Sequence, residues 1–444
     1  MRLVTAVIAL SSCLGCVVER DIGSAAIVPG ADNGGLIPPM RLGPPPFSNN
    51  PCCLVRDPMA LDDASPDVQG GPPSVVAMDD GRLAWAVIWQ EVRQQRVMIR
   101  IVGNTPGSLL SFAPAVPGLI TGVERYAIEG FVLSPPVPTT YRFAIAMKAL
   151  GQRDSPNRDS HVRLAALDDL GALQAETAIA GGSEGGVFGN LSGSLAMIAL
   201  DHSQGGPADQ ARLFLLNDDL TPQGNPVDLG PSLPDDVFAP SVLRSLYQLV
   251  TVVAAPDGVH VRTFGGLGRG PLDEPHPEVI VDVGRVGSVS AAVIYERVII
   301  AAMDHETIRT WVYDPETGTV LGGPFTVSSG QHQGRLKMRG RGPTAGLCYA
   351  VGDRPGSPDG LRFALVAEDG KPRGVPVDVA SGLDHVAACD LVFGGTDSIL
   401  DEQNIAVGFQ EKYLVTYWNA AKQTAGPSMF ANQIIVQRGN SSPQ

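Results

Sequence analysis

The residues best able to do chemistry in this chain are few and scattered. Arg335, Lys337, Arg339 and Arg341 alternate in RLKMRGR, so one face of a strand carries four positive charges. Such a row binds an anionic ligand or a phosphate group if it faces a channel or a blade edge. More often such a row is a solvated outer strand kept charged against edge pairing. Six cysteines are present. Of the four beyond residue 16, Cys348 and Cys389 fall in expected strands of the last two units, where a Cys348–Cys389 bridge would staple them together. A bond from Cys52 or Cys53 to Cys389 would instead pin the N-terminal segment to the closing unit. Three connectivities are open, and the strand thiols also suit a role as buried small hydrophobes. Beyond residue 16 there is no CxxC pair and no His at ligand spacing from a cysteine, so no structural zinc is expected.

Other constellations fail on context. Asp201-His202 and Asp304-His305 occupy equivalent positions and could form Asp-His pairs at a channel mouth, binding a metal or moving protons. Only two units carry the pair, which favours polar turns placed by a repeat. Gly181-Gly182-Ser183-Glu184-Gly185 matches a nucleophile elbow by letters, but no helix follows to hold the serine at a strained turn. Gly265–Gly270 likewise lacks the following helix that would hold an anion. Trp85 and Trp89 share a strand face, as a sugar-stacking platform would, although core packing is the commoner use of tryptophan. Acidic clusters such as Asp62-Asp63 and Asn217-Asp218-Asp219 lack the spacing of a calcium loop. No cofactor is implied, and calcium is unsupported.

The elements that must position these residues form a repeat. Leu361–Val379 is an alternating strand, a turn on Asp369-Gly370 and a second alternating strand. Strands of this design start at Val97, Val162, Ala211, Val259, Ile308 and Leu361, spaced by 65, 49, 48, 49 and 53 residues, with a less clear one at Gln433–Gln437. A second series precedes them at Leu83, Tyr141, Leu195, Leu246, Arg297, Thr344 and Lys412. Two series sharing one spacing, with 52 Gly, 37 Pro and no capped helical periodicity, predict an all-β chain of small antiparallel units. The expectation is a β-propeller of about seven four-stranded blades, with six or eight as alternatives, because radial packing buries both faces of each sheet. The chain resembles bacterial β-propellers generally. It lacks the Trp-Asp ending of WD repeats, the Gly-Gly pair of kelch blades and a Ser-x-Asp-x-Gly-x-Thr-Trp box, so no propeller family is named. Two units carry inserts, Gly151–His161 and Phe393–Gln403, expected as exposed loops where binding or drift is tolerated.

The N-terminus, MRLVTAVIALSSCLGC, has one charge at Arg2, an apolar run at Leu3–Leu10 and small residues before cysteine. Leu10-Ser11-Ser12-Cys13 resembles a bacterial lipoprotein signal, which implies cleavage and acylation of Cys13. Leu14-Gly15-Cys16 is the alternative, placing the lipid on Cys16, and an ordinary secretory signal is a further reading. The expected organisation is a signal and lipidation region at 1–16, a Pro/Gly-rich tether at 17–73, the propeller at 74–438 and a disordered tail at 439–444. Within the tether, Cys52-Cys53-Leu54-Val55 is a brief apolar patch suited to docking on the folded body.

A net charge of −14 works against nucleic-acid binding, which needs a basic footprint. These features point to a non-enzymatic binding or scaffold module, lipid-anchored at the bacterial envelope and outer membrane, with a monomeric body. Its loops would be presented to an envelope protein or a glycan. The alternative is a propeller enzyme, a glycosidase or lyase, with carboxylates lining the channel.

Overall fold

In a computed structural model, the chain is described at residues 52–61, 73–78, 84–91, 96–103, 109–117, 125–132, 143–150, 161–167, 173–180, 184–191, 194–201, 209–217, 219–233, 241–245, 248–265, 272–284, 286–304, 306–330, 332–341, 343–352, 359–382, 389–400, 406–419 and 429–439. All regular elements among these are strands.

Two short strands come first, β1 (Leu54–Val55) and β2 (Met59–Ala60). Six four-stranded sheets follow in chain order. The first holds β3 (Ser74–Met78), β4 (Ala84–Glu91), β5 (Arg96–Gly103) and β6 (Leu109–Pro117). The second holds β7 (Arg125–Val132), β8 (Phe143–Leu150), β9 (His161–Leu167) and β10 (Leu173–Ala180). The third holds β11 (Glu184–Leu191), β12 (Ser194–Asp201), β13 (Asp209–Leu216) and β14 (Val227–Ser232). The fourth holds β15 (Ser241–Ser245), β16 (Gln248–Ala255), β17 (Gly258–Phe264) and β18 (Val279–Val281). The fifth holds β19 (Ser288–Ile294), β20 (Arg297–Met303), β21 (Thr307–Asp314) and β22 (Thr319–Ser329). The sixth holds β23 (His332–Arg341), β24 (Thr344–Val351), β25 (Gly360–Ala367) and β26 (Val377–Ser381).

The seventh sheet is built from both ends of the chain. Its strands β27 (Cys389–Leu400), β28 (Ala406–Trp418) and β29 (Met429–Gly439) are completed on the outside by β1 and β2, which both pair with β29. The first strands of successive sheets touch in order from β3 to β27, and β27 touches β3. Seven antiparallel sheets therefore close a ring with their first strands innermost, which is a seven-bladed β-propeller.

Both series read from the sequence fall on the middle of each blade. The later strands become β5, β9, β13, β17, β21, β25 and β29, and the earlier ones become β4, β8, β12, β16, β20, β24 and β28. Middle strands bury both faces between neighbouring blades, so β20 and β24 are buried along almost their whole length. One core wedge between the fifth and sixth sheets holds Ile299, Met303, Leu336, Met338, Leu347 and Tyr349. Another, between the sixth and seventh, holds Cys348, Phe363, Cys389, Leu391 and Tyr413.

The turn after the third strand repeats in detail. Asn217 and Ala367 amides donate to the carbonyls of Thr221 and Lys371, and Leu220 and Gly370 sit at φ of 67° and 78°. One backbone path is thus taken by a leucine in the third blade and by a glycine in the sixth.

Three expectations change. Leu54–Ala60 lies inside the span read as a tether, 17–73, yet it supplies the outer edge of the seventh blade. Its Leu61 is fully buried against Trp85, Trp418 and Met429. The apolar residues of this short segment cover the otherwise unpaired edge of β29. The Phe393–Gln403 insert is largely strand, because β27 runs on to Leu400 and pairs with β28 in a long hairpin. A bulge at Phe393–Gly395 turns that hairpin, and a Cβ on Gly394 would collide with the Trp85 indole of the first blade. Residues 151–160 of the other insert lie outside the described residues but do connect two paired strands, β8 and β9. The tail ends with Gly439 in β29, and residues 440–444 lie outside the described residues.

Candidate functional site

The basic row lies on β23, the innermost strand of the sixth blade, so it is not the outer edge strand that one reading expected. Residues opposite each other on neighbouring strands share a sheet face. Lys337 is opposite Cys348, and Cys348 is disulfide-bonded to Cys389 of the seventh blade. The Lys337 face therefore turns toward the seventh blade, while Leu336 and Met338 pack into the fifth. Arg339 follows in the same register and is half-buried, as is Arg335 across a bulge; Lys337 is only 6% exposed. Arg341 pairs with Thr344 at the strand end, and its side chain lies outside the described residues.

Near the Arg341 end of this row, beside Thr344, lies a buried acidic group. Glu411 of β28 is 2% exposed and accepts a 2.7 Å hydrogen bond from the Thr344 hydroxyl. The Tyr413 hydroxyl donates to the Thr344 carbonyl at 3.3 Å. Arg335, Lys337, Arg339 and Glu411 are each engaged by further polar or electrostatic contacts. Buried charges persist only when compensated. The wedge is accordingly a polar seam between two blades, next to the disulfide.

A second polar system runs around the inner ring, and the sequence reading missed it. Innermost strands leave backbone groups facing the next blade, and side chains of the neighbouring first strand satisfy them. Ser241 Oγ accepts the Ala291 amide at 3.2 Å. Ser288 and Ser290 accept the Leu336 and Met338 amides, each at 3.0 Å. At the closing seam Asp390 takes over: one carboxylate oxygen accepts the Val75 amide at 2.9 Å and the Ser74 hydroxyl at 3.2 Å. The available signal was a small motif, Pro-Ser-Val at 73–75 and 240–242 and Gly-Ser-Val at 287–289.

The remaining candidates resolve one by one. Trp85 and Trp89 are each 1% exposed in the wedge between the first and seventh blades, so they form core and no sugar platform. Asp304 accepts the amides of Glu306 and Thr307 and the Thr307 hydroxyl, which makes it a turn cap; His202 and His305 lie outside the described residues. Ser183 also lies outside them, and Glu184–Leu191 continues as the innermost strand β11, with no helix. Cys13 and Cys16 lie outside the described residues as well.

His332, at the start of β23, comes nearest to a catalytic pairing. Its Nε2 lies 3.0 Å from Ser328 Oγ and its ring meets Tyr349 edge-on at 5.3 Å. Burial pushes its pKa down from 6.5 to about 4, against the opposing pull of the Asp304 carboxylate. Its Nδ1 has no hydrogen-bond partner among the described residues, so no third group orients the imidazole. Ser328 is itself buried. Among the described residues no cluster of three His, Cys, Asp or Glu could hold a metal. Nor is any helix there long and apolar enough to cross a membrane.

No family model matches the chain, and no curated protein matches it. Among solved structures it is similar to a prolyl endopeptidase at 12% identity and a TM-score of 0.40, covering 79% of this chain and 46% of that one. It therefore spans about half the length of that enzyme. It is similar to the Aleuria aurantia lectin, a six-bladed β-propeller with a fucose recognition mode, at 10% identity and a TM-score of 0.43, covering 70% and 96%. It is also similar to the parainfluenza virus 5 hemagglutinin-neuraminidase ectodomain at 9% identity and a TM-score of 0.44, covering 87% and 83%. At these identities and TM-scores the likeness carries no argument about this chain's role.

Proposed function

We propose that this protein is a non-enzymatic binding or scaffold module, a rigid ring that presents its loops to an envelope protein or a glycan. The observation that carries this reading is the use of Asp390. It is a carboxylate on an innermost strand, where a propeller enzyme would keep its acid or base, and it is bonded to Val75 and Ser74 across the closing seam. A carboxylate held this way has its lone pairs directed at fixed donors and is buried, at 2% exposure, away from any substrate. Glu411, the other buried carboxylate of the closing region, is bonded to Thr344. Repeat scaffolds of this kind recognise partners through loops carried on a stiff frame.

The N-terminal signal supports export and acylation at Cys13, or at Cys16 in the alternative, with attachment to the bacterial outer membrane through the lipid. Labelling of the full chain with a fatty-acid analogue tests this: label retained after Cys13→Ala and lost after Cys16→Ala selects the second cysteine. Label on neither variant's parent removes the anchor. Function is tested by cross-linking the full chain in envelopes, recovering it, and probing a glycan array in parallel. A saturable protein or glycan partner supports the module. Turnover of a glycan by the purified chain, abolished by Asp390→Asn in a variant that remains folded, would replace it with a hydrolase.

A further inference from the structure

Cys52 and Cys53 stand apart from everything used so far. They are adjacent in sequence, both are free thiols, and their sulfurs lie 2.7 Å apart. That is inside the separation at which unbonded sulfurs rest, though longer than the roughly 2.05 Å of a disulfide bond. The backbone around them is fixed on both sides. The Cys52 amide donates to the Val375 carbonyl at 3.0 Å, and its thiol approaches the Phe363 carbonyl at 3.9 Å. One residue after Cys53, β1 begins its pairing with β29 at Leu54 and Ile435. Both thiols pack against the wedge between the sixth and seventh blades, in the cluster that already contains the Cys348–Cys389 bond.

We propose that Cys52 and Cys53 are a modification site, which a disulfide donor converts into a vicinal disulfide at the point where the N-terminal strand joins the ring. The Cys52 thiolate attacks one sulfur of the donor and expels the donor's other sulfur as a thiolate. The Cys53 thiol then passes its proton to the expelled donor thiolate as its sulfur displaces the donor's remaining half from Cys52. The pair loses two protons and two electrons, and the donor leaves as two thiols. Burial, reinforced by the neighbouring Cys52 sulfur, pushes the Cys53 thiol well above its ordinary range and disfavours it as the first nucleophile. Among the described cysteines Cys348 and Cys389 are already joined, so the adjacent cysteine is the partner at hand. No His, Asp or Glu completes a metal site with the two sulfurs among the described residues.

The test equilibrates the folded full chain with oxidised glutathione, then denatures it, blocks free thiols with N-ethylmaleimide and digests it with trypsin. Peptide Leu42–Arg56 contains both cysteines. The expected peptide carries no label, is lighter than the dithiol form by two hydrogen atoms, and takes two labels only after reduction. Two labels before reduction, two retained glutathiones, or a cross-link to the peptides of Cys348 or Cys389 would each overturn the proposal. A Cys52→Ser variant should leave Cys53 reactive, with one label or one glutathione. Continued protection of Cys53 in that variant would place its partner elsewhere. The Cys348→Ser, Cys389→Ser double variant, checked for retained β structure by circular dichroism, should keep the vicinal bond.

Discussion

Asp390 and Val75, 315 residues apart in the chain, are joined by a 2.9 Å hydrogen bond from amide to carboxylate. The bond ties the innermost strand of the last blade to that of the first, and the Ser74 hydroxyl reinforces it. Elsewhere on the inner ring a serine does this work, at Ser241, Ser288 and Ser290. At the seam where the last blade meets the first, a carboxylate makes the stronger, charge-assisted version of the same bond.

Asp390→Ala should therefore destabilise the ring by about 2–3 kcal/mol, because it strands a buried amide and removes a charged acceptor. Asp390→Asn, which keeps a carbonyl oxygen, should cost roughly half as much. Urea unfolding followed by tryptophan fluorescence measures both, since Trp85 and Trp418 are packed beside the seam. No loss in Asp390→Asn would mean that the carboxylate charge contributes nothing, and equal loss in the two variants that the charge carries the whole effect.

The Cys348–Cys389 bond closes a loop of 41 residues. Constraining the unfolded chain over that span is worth about 4 kcal/mol in the loop-entropy account. The double serine variant should fall short of the parent by about 2–4 kcal/mol in denaturant unfolding. A reducing agent should produce the same shift in the parent and none in the variant.

A chain begun at residue 62 should fare worse than one begun at residue 50. The shorter chain loses β1, β2 and the buried Leu61, and it leaves β29 as an open edge beside Trp418 and Met429. Lower thermal stability and concentration-dependent association are expected, read by calorimetry and light scattering. Identical behaviour of the two chains would show that the N-terminal strands are ornament.

His332 makes stability depend on pH with a definite sign. Its folded-state pKa, about 4, is below the ordinary 6.5, so the unfolded chain takes up the proton first as pH falls. The contribution is complete above about 6.5 and is lost as pH drops toward about 4. Denaturation midpoints should decline through that window in the parent. His332→Gln should decline less steeply, and parallel curves would rule out the buried imidazole as a source.

How much could be read from the chain alone depended on which strand of a blade was being read. Middle strands such as Arg297–Met303 and Leu361–Val366 are buried on both faces or alternate cleanly, so they stand out as apolar runs. Innermost strands such as Glu184–Leu191 and His332–Arg341 carry glycine and charge, because they pack against neighbouring first strands and polar seams. They resemble loops or exposed edges by letter. The pairing of β1 with β29 was out of reach for another reason. It joins residues more than 370 positions apart, and nothing local in Leu54–Val55 records the partner. The row at Arg335, Lys337 and Arg339 was visible as a stripe, but the buried Glu411 that bonds Thr344 beside its end lies on another blade.

The seventh blade also sets the timetable of folding. The Arg56 carbonyl accepts a bond from Asn432, 376 residues later, so an early segment must wait for almost the last part of the chain to emerge. Six blades can assemble during synthesis while the seventh cannot, and loop closure over such a span is slow. Until β29 has emerged, the molecule is an open arc with two sticky faces. A cell making this protein has to guard that arc or finish it quickly.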